Sequence, residues 1–321
     1  VDRQMVIDLA VEMINTPSAT GEEGDMARVL ERMLKEVGCS THLQNIYDDR
    51  YNSIGRLSGS GNGPKVLMSG HMDTSVSGNE DYLVGKGWKN HAVVESDRIY
   101  GNGICNMKQG FVSYIAGLDA LRRAGIKLPG DLIIAGTAGE VEMAPVDEFQ
   151  GKHYHGYGMG MRFMLIHGVT ADYHFLGEPT AQTPSTGMMG TTWAKVTTYG
   201  DFSHSAFEER SLSAIDEMWL LWHELTGWIA DFKKNNTYAG VVPSVNRACL
   251  RGGLPWRAAR TCNEASLYVD IRFPPNRYPI DVQREFTAAV EKIAKDKLQR
   301  PIEVHYYMAR PGTQLPDDHP V

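Results

Sequence analysis

Apolar and polar residues follow two different periods along the first half of the chain. The stretch "TGEEGDMARVLERMLKEVG" places apolar residues at helical spacing, with Thr20 and Glu23 in capping-box spacing at its start and Gly38 at its end. The runs "PKVLMSGHMDT", "DLIIAGTAGE" and "ADYHFLGEPT" are short apolar strands that end in polar residues, and "QGFVSYIAGLDALRRAG" is again helical. This alternation predicts an α/β architecture with polar groups at the carboxyl ends of strands, where open sheets place their sites.

The pattern changes near Gly187. Strand-like runs "TTWAKVTTYGDFSHS", "ASLYVDIRFPP" and "IEVHYYMA" are joined by two helical stretches, "SLSAIDEMWLLWHELTGWIADFKK" and "PIDVQREFTAAVEKIAKDKL". Two helices against several strands predict a compact α+β layer. We therefore expect a first domain over 1–186 and an inserted second domain over 187–310. Residues 141–168, rich in Gly, His and Tyr, are the least regular stretch and are expected to form an irregular loop, either a mobile substrate loop or a plain surface loop.

Composition narrows the function classes. The 321 residues are 42% hydrophobic and 22% charged, as in a globular chain with room for two domains. A net charge of -7 without a long basic run argues against nucleic-acid binding, and no apolar run approaches the ~20 residues that span a bilayer. The four cysteines lack C-x-x-C spacing, which indicates buried reduced thiols in a cytoplasmic protein: Cys39, Cys105, Cys249 and Cys262.

Four short motifs concentrate the candidate chemistry at the predicted sheet edge. In "SGHMDTS", His71 and Asp73 lie two apart on one strand face, a spacing that suits a metal-binding imidazole oriented by a carboxylate. In the glycine-rich loop "GNGICNMKQG", Asn106 can offer an amide oxygen. The other two motifs, "AGTAGEVEM" and "LGEPT", place acids just past buried strands: Glu140, Glu142 and Glu178.

These motifs, in this order, resemble the family of metallohydrolases that includes acetylornithine deacetylase, succinyl-diaminopimelate desuccinylase, aminoacylase and carboxypeptidase G. The resemblance covers nearly the whole chain. It implies a zinc-peptidase-like catalytic domain with a mixed sheet flanked by helices, and an inserted ferredoxin-like lid through which the protein forms a homodimer. Residues 311–321 resemble the start of the return to the catalytic domain, whose remainder, with the family's last histidine ligand, is expected to lie outside this chain.

The resemblance also implies roles for individual residues. His71 and Glu178 match ligands of the first metal, Asp73 matches the acid that supports His71, and Glu140 matches the general base. His204 in "GDFSHSA" matches the lid histidine that helps to polarise the scissile carbonyl, commonly across a dimer interface. Arg272 in "YVDIRF" lies in the strand that often supplies a basic group facing the substrate.

Two departures from the family pattern change the expected metal count. Asn106 replaces the bridging aspartate, and Val141 replaces the second acid of a Glu-Glu pair. A neutral amide offsets almost none of the repulsion between two dications, and a valine side chain cannot coordinate. We therefore expect one divalent ion, held by His71, Asn106, Glu178 and waters, with Mn²⁺ favoured and Zn²⁺ or Co²⁺ compatible. The alternative is that Glu142 replaces Val141 and restores a two-metal site.

The leading functional hypothesis is a hydrolase that cleaves a C–N bond of a small, carboxylate-bearing substrate. One cation can lower the pKa of a water, and Glu140 can take its proton. A second hypothesis is hydrolytic deamination of an aminoaromatic acid, as in nitroanthranilate-type aminohydrolases, with Trp193 and Trp256 as candidates for stacking on the ring or as core residues. A third is a non-catalytic binding protein for small molecules, against which the retention of Glu140 argues.

Overall fold

The computed structural model describes residues 1–320, which form two compact units, Val1–Thr183 and Pro184–Pro320. Within these residues, no helix is both long and apolar enough to cross a membrane. The predicted role of 187–310 as a lid and dimerisation domain stays a prediction.

The first unit is built on a mixed five-stranded sheet in the order β1-β2-β6-β3-β7. Strand β3 pairs in parallel with both β6 and β7, whereas β2 pairs antiparallel with β1 and β6. Four helices and a small hairpin, β4–β5, complete the unit. Its elements are α1 Arg3–Asn15, α2 Gly24–Glu36, β1 Ser40–Tyr47, β2 Arg50–Leu57, β3 Val66–His71, β4 Val93–Glu95, β5 Arg98–Tyr100, α3 Gln109–Arg123, β6 Leu132–Thr137, α4 Met159–Ile166 and β7 Tyr173–Leu176.

The core of this unit explains why the predicted helices form. Helix α2 buries its apolar face, including Leu30 and Met33, while α3 contributes Phe111 and Ile115 and α1 contributes Met13 to the same cluster. Burial of each such side chain stabilises the fold by roughly 1.5–3 kcal/mol. Strand β3 pairs in parallel with β6 on one side and with β7 on the other, so the carboxyl ends of all three meet at one edge of the sheet.

The predicted capping box of α2 is wrong. The helix begins at Gly24, and Glu23 makes no side-chain cap bond. The Thr20 hydroxyl instead donates to Asp73, and the Glu23 carboxylate accepts from Arg50. Tertiary partners have therefore replaced the local ones. The predicted end of the helix is confirmed, since Gly38 follows it with a φ of 94° that favours glycine.

Two further expectations need correction. The segment 141–168 is not wholly irregular, because it contains α4, whose Met164 packs against Ile54 and Ile133. Of the four cysteines, only Cys39 and Cys262 are buried, and the other two are exposed: Cys105 and Cys249.

The second unit contains a four-stranded antiparallel sheet in the order β10-β11-β9-β12. Its chain order, strand-helix-strand-strand-helix-strand, is that of a ferredoxin-like layer. Helices α5 and α6 pack on this sheet through a core that includes Val196, Leu267 and Phe286. The elements are β8 Gly187–Met188, β9 Gly190–Tyr199, α5 Ala214–Asn235, β10 Ser244–Gly252, β11 Glu264–Phe273, α6 Pro279–Lys297, β12 Glu303–Arg310 and β13 Thr313–Gln314.

Candidate metal centre

His71 ends β3 and is the centre of the candidate site. Its ring is almost fully buried, at 1% exposure, and Nδ1 lies 2.9 Å from the backbone carbonyl of Asp73. With Nδ1 as the donor to that carbonyl, Nε2 is the acceptor nitrogen of a neutral ring. Nε2 faces three oxygens. These are Oδ1 of Asn106 at 2.8 Å, Oε1 of Glu178 at 3.4 Å and Oε2 of Glu140 at 3.8 Å. A neutral ring would direct a lone pair at acceptor oxygens, so the arrangement calls for a proton or a cation.

The sheet topology explains this convergence. Glu140 follows β6 and Glu178 follows β7, the two strands related to His71 through parallel pairing. The candidate ligand atoms of these three residues lie within 4.8 Å of one another, and within 1–320 no other group of three His, Cys, Asp or Glu does so. Buried Oε1 of Glu178 has no hydrogen-bond donor. An orphaned carboxylate oxygen, an imidazole and an amide oxygen form a donor set that fits one divalent cation.

The charges of the site shift the pKa values of its members. Burial alone would lower the pKa of His71, but the hydrogen bond and charge of Asp73, with the charges of Glu140 and Glu178, raise it to about 9. Burial raises the pKa of Glu178, and the charge of Asp73 adds to this effect while His71 opposes it. The metal-free site therefore attracts positive charge.

Asp73 connects the histidine to the turn that carries Glu140. The side chain is fully buried, with Oδ1 accepting from the Glu140 amide at 2.9 Å and Oδ2 accepting from the Val141 amide at 3.0 Å. Oδ2 also accepts from the Thr20 hydroxyl at 2.9 Å. Burial would raise the pKa of Asp73, but His71 and the two backbone amides lower it, so the group remains an anion. Thr20 was missed as a site residue because its spacing to Glu23 indicated a helix cap.

The loop that carries Asn106 is anchored by the two residues that follow it. Met107 is fully buried, and the backbone amide of His71 lies 3.0 Å from its sulfur. Nζ of Lys108 is also buried and donates to the carbonyls of Met13 and Thr16, and burial lowers the pKa of this amine to about 7. A cavity of about 480 Å³ opens beside Asn106, and its lining includes Trp88, Cys105 and Thr74.

The remaining predicted site residues are not members of this donor group. Glu142 is not among the clustered residues His71, Glu140 and Glu178, and the backbone amide of Val141 donates to Asp73. His204 and Arg272 belong to the second unit. Nδ1 of His204, an exposed residue, accepts from the Ala206 amide at 3.1 Å, and Nε of Arg272 donates to Asp270 at 2.7 Å. The roles of His204 and Arg272 stay predictions.

Comparison with known proteins gives a consistent result. Residues 67–314 match the model of peptidase family M20/M25/M40. An acetylornithine deacetylase of Photorhabdus laumondii is 27% identical over 98% of this chain and 79% of that protein. Among solved structures, a tripeptidase of Staphylococcus aureus has a TM-score of 0.72 at 17% identity, covering 100% of this chain and 79% of that one. A Bacillus subtilis M20 peptidase described as dinuclear metal-binding has a TM-score of 0.60 at 14% identity, covering 98% and 77%. The chain belongs to peptidase family M20/M25/M40, whose members are metal-dependent hydrolases of amide and peptide bonds.

Proposed function

We propose that this protein hydrolyses a C–N bond in a small, carboxylate-bearing molecule and does so with a single divalent metal ion. The observation that carries the proposal is the cluster of His71, Glu140 and Glu178, the one such group within 1–320, together with the Asn106 amide oxygen that lies nearest to Nε2 of His71. The acetylornithine deacetylase relative, whose named substrate is a small amide that bears a carboxylate, supports the substrate class.

His71, Asn106 and Glu178 would hold the ion. When bound, a divalent cation supplies Lewis acidity that polarises a carbonyl and lowers the pKa of water. One imidazole with two oxygen ligands favours Mn²⁺ and is compatible with Zn²⁺ or Co²⁺.

Glu140 and Asp73 have separate roles in the proposed reaction. Glu140 accepts the proton of the attacking water at its carboxylate, and its Oε2 is the farthest of the three oxygens from Nε2 of His71. Asp73 holds the imidazole ring and the amide of Glu140 at the same time, which fixes the base relative to the metal ligand.

The single-metal part of the proposal rests on Asn106 and Val141, which stand where the family pattern has two acidic residues. Asn106 brings no charge to offset a second cation, and Val141 offers only a hydrocarbon side chain beside Glu140. The Bacillus subtilis relative is dinuclear, so a different metal count here would be a property of these substitutions.

Two residues of the second unit are proposed to act on the substrate. His204 would stabilise charge that develops on the scissile carbonyl oxygen, and Arg272 would bind the substrate carboxylate through its guanidinium group.

We also propose a homodimer formed through the second unit. Strand β10 is an edge strand, with backbone groups available for pairing with a second copy. Large apolar side chains are exposed on β10 and α5, among them Leu250 at 52% and Trp219 at 60%.

A second candidate function is hydrolytic deamination of an aminoaromatic acid. One feature favours it: the cavity beside Asn106 is lined by Trp88, whose side chain is 46% exposed and offers an aromatic surface for a ring. Trp193 and Trp256, the aromatic residues singled out by sequence, belong instead to the second unit.

A substrate panel tests these functions. Protein reconstituted with Mn²⁺ is incubated with N-acyl amino acids, dipeptides and aminoaromatic acids, and both new primary amines and free ammonia are measured. Release of an amino acid from the amides supports the leading proposal, and release of ammonia from the aromatic acids supports the second. Turnover of neither class by metal-loaded protein would contradict both and favour a binding protein.

A further inference from the structure

The turn that carries Glu140 is held by two buried carboxylates. Three successive amides point at them: Gly139 donates to Oε1 of Glu23 at 3.0 Å, while Glu140 and Val141 donate to Asp73 at 2.9 and 3.0 Å. Asp73 also contacts His71, so its place in the site is already clear. Glu23 makes no hydrogen bond to the proposed ligands, and its bond to the turn is the one from the backbone amide of Gly139.

Glu23 is in turn fixed by Arg50. Nε of Arg50 donates to Oε2 at 2.8 Å and Nη2 donates to Oε1 at 2.6 Å, a two-bond pair between side chains that are both at 0% exposure. The Gly21 amide adds a bond to Oε1 at 3.1 Å. A buried ion pair is costly to form and is not explained by stability alone, since apolar residues of similar volume often serve as well.

Arg50 also bonds to a second segment, near 152–155, that packs against the same turn. Its Nη1 donates to the carbonyl of His155 at 2.8 Å and of Lys152 at 3.2 Å. Gly139 lies between these contacts with a φ of 63°, and a Cβ there would stand 2.6 Å from Nη2 of Arg50 and 3.0 Å from the His155 oxygen. The guanidinium therefore packs directly on the residue that precedes Glu140.

We propose that Glu23 and Arg50 form a positioning pair that sets the backbone of the Glu140 turn. The pair binds neither substrate nor metal; it fixes where the Glu140 carboxylate stands relative to His71. The catalytic consequence rests on the proposed function, in which Glu140 is the base. Small misplacements of a catalytic group, about 1 Å, can cost ~10²-fold in rate.

The test compares Glu23→Gln with a matched control. The amide keeps the shape of the side chain, but it removes the charge opposite Arg50 and turns one acceptor into a donor. Met33→Ala is the control, because Met33 is buried in α2, the helix that Glu23 precedes, and makes no hydrogen bond to the turn. Both variants are measured at the same interval below their own melting temperatures, so that a general loss of stability affects them equally.

The first readout is amide hydrogen exchange of peptides covering 138–146, which needs no activity. We expect exchange at 139–141 to become at least ~10-fold faster in Glu23→Gln and to stay unchanged in Met33→Ala. Equal exchange in the two variants would overturn the proposal. If Glu23→Gln does not fold, Glu23→Asp replaces it, since it keeps the charge and withdraws the carboxylate from Gly139.

The second readout is the kinetic split on the substrate found in the panel. We expect kcat of Glu23→Gln to fall ~10- to 100-fold while KM and metal content change less than threefold. A kcat equal to that of Met33→Ala would contradict a catalytic role for the positioning pair. Failure of the proposed function is recognised separately, because Glu140→Gln would then retain turnover whatever the exchange result.

Discussion

Proton binding at His71 should make both the stability and the metal affinity of the metal-free protein depend on pH above neutrality. The pKa of this histidine is raised from 6.5 to about 9 because Asp73, Glu140 and Glu178 surround a buried ring. The protonated ring is thus stabilised in the folded chain. Each unit of pKa corresponds to 1.36 kcal/mol, so a rise of about 2.5 units, from 6.5 to 9, amounts to about 3 kcal/mol.

The sign follows from the direction of the shift. A folded-state pKa above the unfolded value gives stabilisation that is fully present below pH 6.5 and is lost as the pH rises through about 9. A cation competes with the same proton. Its apparent affinity should therefore rise up to tenfold for each pH unit between 6.5 and 9 and level off above that.

The assay uses protein stripped with a chelator. Urea unfolding and Mn²⁺ titration are followed from pH 6 to 9.5, with His71→Gln as the control that keeps a polar side chain but removes the titration. The difference in unfolding free energy between the two proteins should shrink by about 3 kcal/mol across this range. A difference that stays constant, together with a Mn²⁺ affinity that does not change between pH 6.5 and 9, would refute the account of the site's charges.

Three further predictions concern the roles of single residues. Glu140→Gln should keep metal content near the parent value and lower turnover ~10²- to 10⁴-fold, since the amide cannot accept a proton; loss of metal in elemental analysis would make Glu140 a ligand instead. His204→Ala should lower turnover ~10²- to 10³-fold with metal content unchanged. If His204 acts on the site of the partner subunit, mixing this variant with Glu140→Gln under verified subunit exchange should restore some activity, and no recovery would exclude that arrangement. Asn106→Asp should lower turnover and move the pH optimum upward, because an added carboxylate weakens the cation as a Lewis acid; improved turnover with two bound ions would contradict the single-metal proposal.

The sequence predicted the parts of this fold that depend on long apolar periods. Helices α2, α3, α5 and α6 bury continuous apolar faces, and the strand ends at His71, Glu140 and Glu178 meet because parallel strands present their carboxyl ends at one edge. These elements follow from the apolar period within single short stretches of the sequence and from the geometry of parallel strands.

The sequence did not predict the features that depend on distant partners. Thr20 and Glu23 have capping-box spacing, but Asp73 and Arg50 offer them buried charged partners and so displace the local bonds. Edge strand β10 is mostly exposed and lacks a clear apolar face, so the alternation of apolar and polar residues did not predict it. The closeness of the Asn106 oxygen to His71 depends on a loop held by tertiary contacts.

The most direct test of the central claim is the metal content of the purified protein at saturation. Elemental analysis after incubation with excess Mn²⁺ and removal of unbound ion gives the number of tightly bound ions per chain. The proposal predicts about one equivalent in the parent protein and less than about a tenth of that in His71→Ala, because His71 is the only imidazole of the donor group. Two tightly bound equivalents per chain in the parent protein would contradict the single-metal site built around Asn106.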